Sequence, residues 1–170
     1  MRKLRLFVIV AISVLSLVSI AAAANRNFRT HLTGDEEVPV RVTGAQGQAI
    51  FQLSKDGTQL HYKLNVANIE NVVAAHIHVG PVGTNGEVVT FLYGPVAPGG
   101  GRISGRIAQG TITAANLINS LAGRPLSALR AEIESGNTYV NVHTNDGIAP
   151  TNTGPGDFPG GEVRGQIHSH

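Results

Sequence analysis

The chain has 170 residues, 42% of them hydrophobic and 14% charged, with 13 basic and 11 acidic side chains and no cysteine. Without cysteine there is neither a disulfide framework nor a thiolate metal site, so packing or another kind of ligand must hold the fold. Three of the basic residues, Arg2, Lys3 and Arg5, precede an apolar run from Leu6 to Ile20 that ends in four alanines, Ala21 to Ala24, before the polar Asn25. This is the three-part pattern of a secretory signal peptide, and cleavage is expected after Ala24. The alternative is a retained anchor, for which the apolar run is short. Taking residues 1–24 away removes three of the 13 basic groups and leaves 10 against 11 acidic ones. Near-neutral charge, no basic run and few aromatics give no support for nucleic-acid binding. The remaining residues, 25–170, are enough for one domain with its own core.

In chain order, Phe28 to Gly34 fits a short first strand, followed by Asp35-Glu36-Glu37 and Val38-Pro39, where the missing backbone donor of Pro39 argues for a turn or an edge. From Gln48 to Leu53 the apolar residues alternate, with Ala49, Phe51 and Leu53 on one face. Leu60, Tyr62, Leu64 and Val66 repeat the pattern, and Asp56-Gly57 between the runs favours the positive φ angles of a tight hairpin. A second hairpin is expected from Val72–Val79 and Glu87–Tyr93 around Gly80-Pro81 and Asn85-Gly86. After the loop 94–101, Arg102 to Ile112 reads as a further strand. Only 114–134 carries helical period: Thr113 is a plausible N-cap before Ala114–Leu121, Leu126, Leu129 and Ile133 follow, and Gly123 and Pro125 divide the region into two short helices. Tyr139–His143 returns to strand, 144–160 is a long loop, and Glu162–His168 closes the chain with Val163 and Ile167 inward and Glu162, Arg164, Gln166 and His168 outward. About eight short strands separated by turn signals predict an all-β antiparallel fold, a Greek-key sandwich or barrel of the superoxide-dismutase-like or immunoglobulin-like kind.

Two of these strands carry the candidate chemistry. His76 and His78, two residues apart, leave one face while Ile77 points the other way, and Tyr139, Asn141 and His143 share a face opposite Val140 and Val142. If the strands meet, His76, His78 and His143 form a three-imidazole set suited to copper or zinc with a position left open. Since Ile77, Val140 and Val142 claim the inside, the cluster is expected on the outer surface of the barrel beneath the 144–160 loop. Asn141, Glu162 and Arg164 are its candidate supporting residues, the last two able to orient a ligand or anion. The bland alternative makes the histidines hydrogen-bonding residues that knit strands and loops. Asp146, Asp157 and Glu162, with Asn145 and Asn152, offer oxygen ligands for calcium or outer contacts for the histidines, but fit turns and solvated loops better. Gly80, Gly83 and Gly86 precede a strand instead of a helix N-terminus and make no phosphate loop.

The motifs LTGDEEVPV, AHIHVGPVGTNGEVV, LSALRAEIESGNTYVNVHT and PGGEVRGQI, in this order, resemble those of the CHRD domain, the module repeated in chordin and found singly in exported bacterial proteins. The resemblance covers almost all of 25–170 and implies an extracellular binding or structural module, with no general enzymatic activity. A more distant likeness is to copper/zinc superoxide dismutase, a Greek-key barrel with an H-V-H strand, a later V-V-H-E strand and a terminal glycine-rich strand. His76-Ile77-His78, Val142-His143-Thr144 and Gly160 to Ile167 follow that order. No histidine lies between His78 and His143, so that family's bridging and zinc ligands have no counterpart, and Glu162 stands where its arginine would be, with Arg164 two residues later. Two functions follow. One is an exported non-catalytic CHRD-type module with an extracellular or cell-envelope protein partner and no membrane span in the mature form. The other is a mononuclear copper or zinc protein, with redox chemistry open to a copper form.

Overall fold

Alternation of side chains decides where the strands lie. In β2 (Gln46–Leu53) every second residue is buried, ending in Ala49, Phe51 and Leu53, while Gln46, Gln48, Ile50 and Gln52 are exposed. β3 (Leu60–Glu70) pairs with it in antiparallel register, Phe51 opposite Tyr62 and Leu53 opposite Leu60. The turn between them has Gly57 at φ +73°, and the Asp56 carboxylate accepts the Ser54 hydroxyl and the Thr58 N–H. The hairpin read from Asp-Gly is therefore present. These positions belong to a computed structural model that describes residues 26–169; the signal-peptide expectation lies outside the described residues.

The other strands are β1 (Asn27–Thr33), β4 (Val72–Val79), β5 (Glu87–Tyr93), β6 (Arg102–Ile112), β7 (Thr138–Thr144), β8 (Val163–Gln166) and the two-residue β9 (His168–Ser169). All pairings are antiparallel, and the spatial order is β5-β4-β7-β8-β1-β2-β3-β6, with β9 on β1. The two ends of this order approach each other: Tyr62 of β3, the neighbour of the end strand β6, donates its hydroxyl to Leu92 O of β5, the other end strand, at 2.8 Å. The sheet is thus nearly closed into a barrel. On that ring β3 reaches β4 past β6 and β5, and β6 reaches β7 past β5 and β4, which are Greek-key crossings. The interior is filled by Phe28, Leu32, Leu64, Ile69, Ile77, Val140, Val163 and Ile167, all buried.

The helical region departs from expectation in its first half. Ala114–Asn116 and Asn119–Leu121 are single 3-10 turns, and only α1 (Leu126–Glu134) is an α-helix, burying Leu126, Leu129 and Ile133. The reason is competition for backbone donors. Ile118 N–H goes to Val89 O and the Asn119 amide to Val88 O, so this segment binds the edge of β5 instead of its own preceding turn. Asn119 also takes a left-handed φ of 52°, which interrupts a right-handed helix.

The last strand departs too. Val163 and Ile167 face the core as expected, but Glu162, Arg164 and Gln166, which face outward, are buried as well, at 0%, 1% and 7% exposure. Here the outside of the barrel is roofed: Arg164 bonds Pro81 O and Asn85 of the 80–86 loop, Gln166 bonds Gly80 O, and Glu162 binds Thr43 and Gly156. Among the described residues no helix is long and apolar enough to cross a membrane.

Candidate metal centre

The register of β4 and β7 builds the site. His76 lies opposite Asn141, His78 opposite Tyr139, and Ala74 opposite His143, so the alternation that turns Ile77, Val140 and Val142 inward brings the three imidazoles together outside the barrel. One ligand nitrogen from each of His76, His78 and His143 lies within 4.8 Å of the others. His76 and His143 are half-buried, and His78 is 7% exposed.

Hydrogen bonds fix which nitrogen each ring offers. His78 Nδ1 is 3.0 Å from Gly86 O, and His143 Nδ1 is 2.8 Å from Pro159 O. A carbonyl oxygen only accepts, so both Nδ1 atoms carry the proton and both Nε2 atoms keep a lone pair. His76 Nδ1 stands 3.1 Å from His143 Nε2 and donates to it. The Nε2 atoms of His76 and His78 are then buried acceptors without a partner among the described residues. Burial, followed by the mutual repulsion of the rings, pushes His76 down to about 3. Burial also pushes His78 down to about 4 against the opposing Gly86 hydrogen bond, with His143 and Arg164 adding to the effect. His143 is lowered by burial, against its bond to Pro159. All three are neutral imidazoles at neutral pH, the state that binds metal.

The donor set fits a copper or zinc ion. Metal to imidazole bonds are about 2.0–2.1 Å, and two of them meeting at roughly 100° place their nitrogens about 3.1 Å apart. His76 Nδ1 and His143 Nε2 already have this separation. The Nδ1–H donors to backbone carbonyls are the outer contacts by which metal-bound histidines are usually oriented.

Aromatic rings wall the cluster. Phe91 meets His76 edge-on at 4.6 Å, and Tyr139 stacks on His78 at 4.7 Å with planes 11° apart. The Arg164 guanidinium lies 3.5 Å over the Tyr139 ring, and the Tyr139 hydroxyl accepts the Gly86 N–H. Gly86 is demanded here: a Cβ would collide with Val79 O, and its N–H and C=O hold Tyr139 and His78 in turn.

The proposed supporting residues occupy distinct places. Asn141 lies between His76 on β4 and Arg164 on β8, and its amide donates to Glu37 Oε2 at 3.3 Å. Arg164 contributes to the field on His78 and makes its bonds to the 80–86 loop. Glu162 makes no hydrogen bond to the histidines; its carboxylate accepts from Thr43 Oγ1, Thr144 Oγ1 and Gly156 N–H and ties down the roof. Asn145, Asp146 and Asp157 each close a local turn, accepting Gly147 N–H, Ile148 N–H and Thr153 N–H, and do not converge on one point.

Glu37 was not singled out in the sequence. It is 3% exposed, and burial raises it to about 7 against the lowering influence of Arg164 and Arg41. Its Oε1 and Asn141 Oδ1 both pack on Gly161, where a Cβ would meet each at 2.6 Å. The signal for Glu37 was its place in LTGDEEVPV; nothing in three consecutive acidic residues says which one turns inward.

A family model for the CHRD domain matches residues 28–167. The chain belongs to the CHRD domain family. The match runs from β1 to the end of β8, so the family unit and the barrel coincide, and the histidine site of this CHRD domain lies in the middle of it. A search of curated proteins and a search of solved structures each found no match. The likeness of this CHRD barrel to superoxide dismutase rests on the residues and strand order named above alone.

Proposed function

We propose that this CHRD module is an exported protein that binds one copper or zinc ion through His76, His78 and His143 and acts by binding, not by turning over a substrate. One observation carries the reading: three neutral imidazoles converge, and two of them hold buried Nε2 atoms that no group among the described residues satisfies. An unpaired buried acceptor costs on the order of 1–3 kcal/mol. A metal ion held by His78 Nε2 would relieve that cost at His78, while at His76 the 3.1 Å geometry offers Nδ1, with the ring's proton moving to Nε2. The structural alternative, in which His76 and His143 only knit β4 to β7, draws on their 3.1 Å contact but leaves the two lone pairs unanswered.

Nitrogen ligands suit both metals, and a copper form would open redox chemistry to the module. Asn141 and Arg164 support the site from β7 and β8, and Glu162 holds the roof above it. Export with cleavage after Ala24 would place it in the periplasm, the cell envelope or the medium, where an extracellular or cell-envelope protein is its expected partner. Metal analysis of protein purified from the periplasm or medium tests the reading. About one copper or zinc per chain, absent from His143→Ala, is the expected result; a metal content equal in the two proteins would return the histidines to a structural role.

A further inference from the structure

The far side of the barrel from the histidines presents an unroofed face. The outward side chains of β1, β2, β3 and β6 fall in register rows: Arg29, Ile50, Lys63 and Gln109 in one, His31, Gln48, Asn65 and Arg106 in the next, Asn27, Gln52, His61 and Thr111 in the third. These rows contain no carboxylate. The nearest acids sit at their margins, Asp56 in the β2–β3 turn and Glu70 opposite Arg102 at the end of β3. Arg29, Lys63 and Arg106 are exposed, and none of them is in a salt bridge among the described residues, where the one such pair is Arg130–Glu134. Residues 25–170 hold 10 basic and 11 acidic groups, so a carboxylate-free face of this size is a segregation of charge.

Strand formation does not explain the composition. A solvated sheet face is ordinarily supplied with threonine and other β-branched residues, whereas asparagine is depleted in strands. Here the rows are filled by amides and cations, with Thr111 and Ile50 the β-branched members. Amide side chains both donate and accept, as sugar hydroxyls do. Neighbouring strands are about 4.8 Å apart, so Arg29 and Lys63, two strands apart in one row, are spaced roughly 10 Å across the sheet. Arg29, Gln48, Ile50, Gln52, His61 and Lys63 line a shallow groove of about 420 Å³ here, with Ile50 42% exposed at its centre.

We infer that this face binds an acidic polysaccharide, a polymer of uronate type lying across the strands. Its carboxylates meet Arg29, Lys63 and Arg106, its hydroxyls meet Gln48, Gln52 and Gln109, and a sugar ring face lies on Ile50. An acidic protein segment fits less well, since of the apolar residues lining the groove Phe28 and Phe51 are buried, Tyr62 is half-buried and Ile50 alone is exposed, which leaves little of the anchor surface that carries protein interfaces. The inference uses none of the metal-site histidines, so it stands or falls separately from the metal reading.

The test is binding of the purified protein to polygalacturonate, with dextran as neutral polymer and poly-glutamate as acidic peptide. Polygalacturonate is expected to bind at low salt, to weaken as salt rises, and to bind at least tenfold tighter than either control. Replacing Arg29, Lys63 and Arg106 together by Gln should weaken binding tenfold or more, and Ile50→Glu should do the same by placing a carboxylate in the groove. Arg124→Gln, an exposed cation elsewhere, should change nothing. All the substituted side chains are exposed, and circular dichroism confirms that the variants are folded. No binding at low salt, equal binding of dextran or poly-glutamate, or full binding by the folded triple variant would each overturn the inference.

Discussion

His76 Nδ1 stands 3.1 Å from His143 Nε2, although the two residues are 67 positions apart in the chain and lie on different strands. The His143 ring is held from behind by Pro159 O, so its Nε2 can only accept the proton on His76 Nδ1; a metal ion between these two nitrogens would take the place of that hydrogen bond, with the His76 proton moving to its own Nε2.

It follows that the apo protein should take up one copper(II) or zinc ion with little net release of protons near pH 7, because the rings are already neutral. Replacement of His76, His78 or His143 by Ala should each weaken uptake more than about 100-fold, since losses of outer contacts alone reach 10–100-fold. His61→Ala is the control, because His61 bonds Thr111 on the opposite side of the barrel. Calorimetric titration with both metals checks this; affinity unchanged in His143→Ala would remove the basis for the site.

Uptake should also persist in mild acid. With His76 at about 3 and His78 at about 4, these lone pairs remain free at pH 5.5, where exposed histidines are largely protonated. Zinc affinity between pH 7 and 5.5 should therefore fall by much less than that of a surface histidine pair. A fall of the same size as for exposed histidines would show that the rings are not buried in solution.

Much of this was legible in the sequence because strand alternation is a two-residue code. Ile77, Val140 and Val142 had to face the core, and that alone turned His76, His78 and His143 to one outer face; the strand order needed to join them came from family likeness, not from spacing. What the sequence did not show is held by backbone and loops. Gly86 O and Pro159 O, which set the histidine tautomers, belong to residues whose side chains say nothing of that role. The roof over β8 was equally hidden: Glu162, Arg164 and Gln166 alternate like solvent-facing residues and are buried only because the 34–43, 80–86 and 144–160 loops fold over them. The segment 114–121 misled because leucine spacing records which side is buried, not whether Ile118 N–H will prefer a carbonyl on β5.

Phe51 and Gln52 test the register of β2. Phe51 is 3% exposed and packs on Tyr62 at 6.5 Å, whereas Gln52 is exposed. Phe51→Ala should cost about 3–5 kcal/mol in urea denaturation, and Gln52→Ala little. Equal losses would mean that the strand is slipped by one residue.

Glu162→Gln separates roof from site. The carboxylate takes three hydrogen bonds, and an amide would put a donor against Gly156 N–H or a threonine hydroxyl. A loss of about 2–3 kcal/mol in denaturation at pH 7 is expected, with metal affinity of the folded protein kept within a few-fold. A stable variant with lost affinity would instead make Glu162 a partner of the metal site.

Glu37 gives the barrel a pH dependence of its own. Its carboxyl is raised from the ordinary 4.5 to about 7 by burial, against the pull of Arg164, then Arg41, and of its bonds to Val38 N–H and Asn141. The folded state therefore holds this proton more tightly than the unfolded chain does. That contribution is full below about pH 4.5 and is lost as pH rises through about 7. Glu37→Gln keeps the shape and an N–H that can reach Asn141 Oδ1, but has no proton to lose. Compared with the parent protein, the variant should gain about 1–3 kcal/mol between pH 4.5 and pH 8. The buried histidines act in the opposite direction below about 6.5, since the unfolded chain takes up protons that the folded rings refuse, but they are common to both proteins and cancel in the difference. Urea midpoints of metal-free parent and variant across this range provide the measurement. A difference that stays constant with pH would mean that Glu37 is ionised throughout and that Arg164 or Arg41 closes on it in solution.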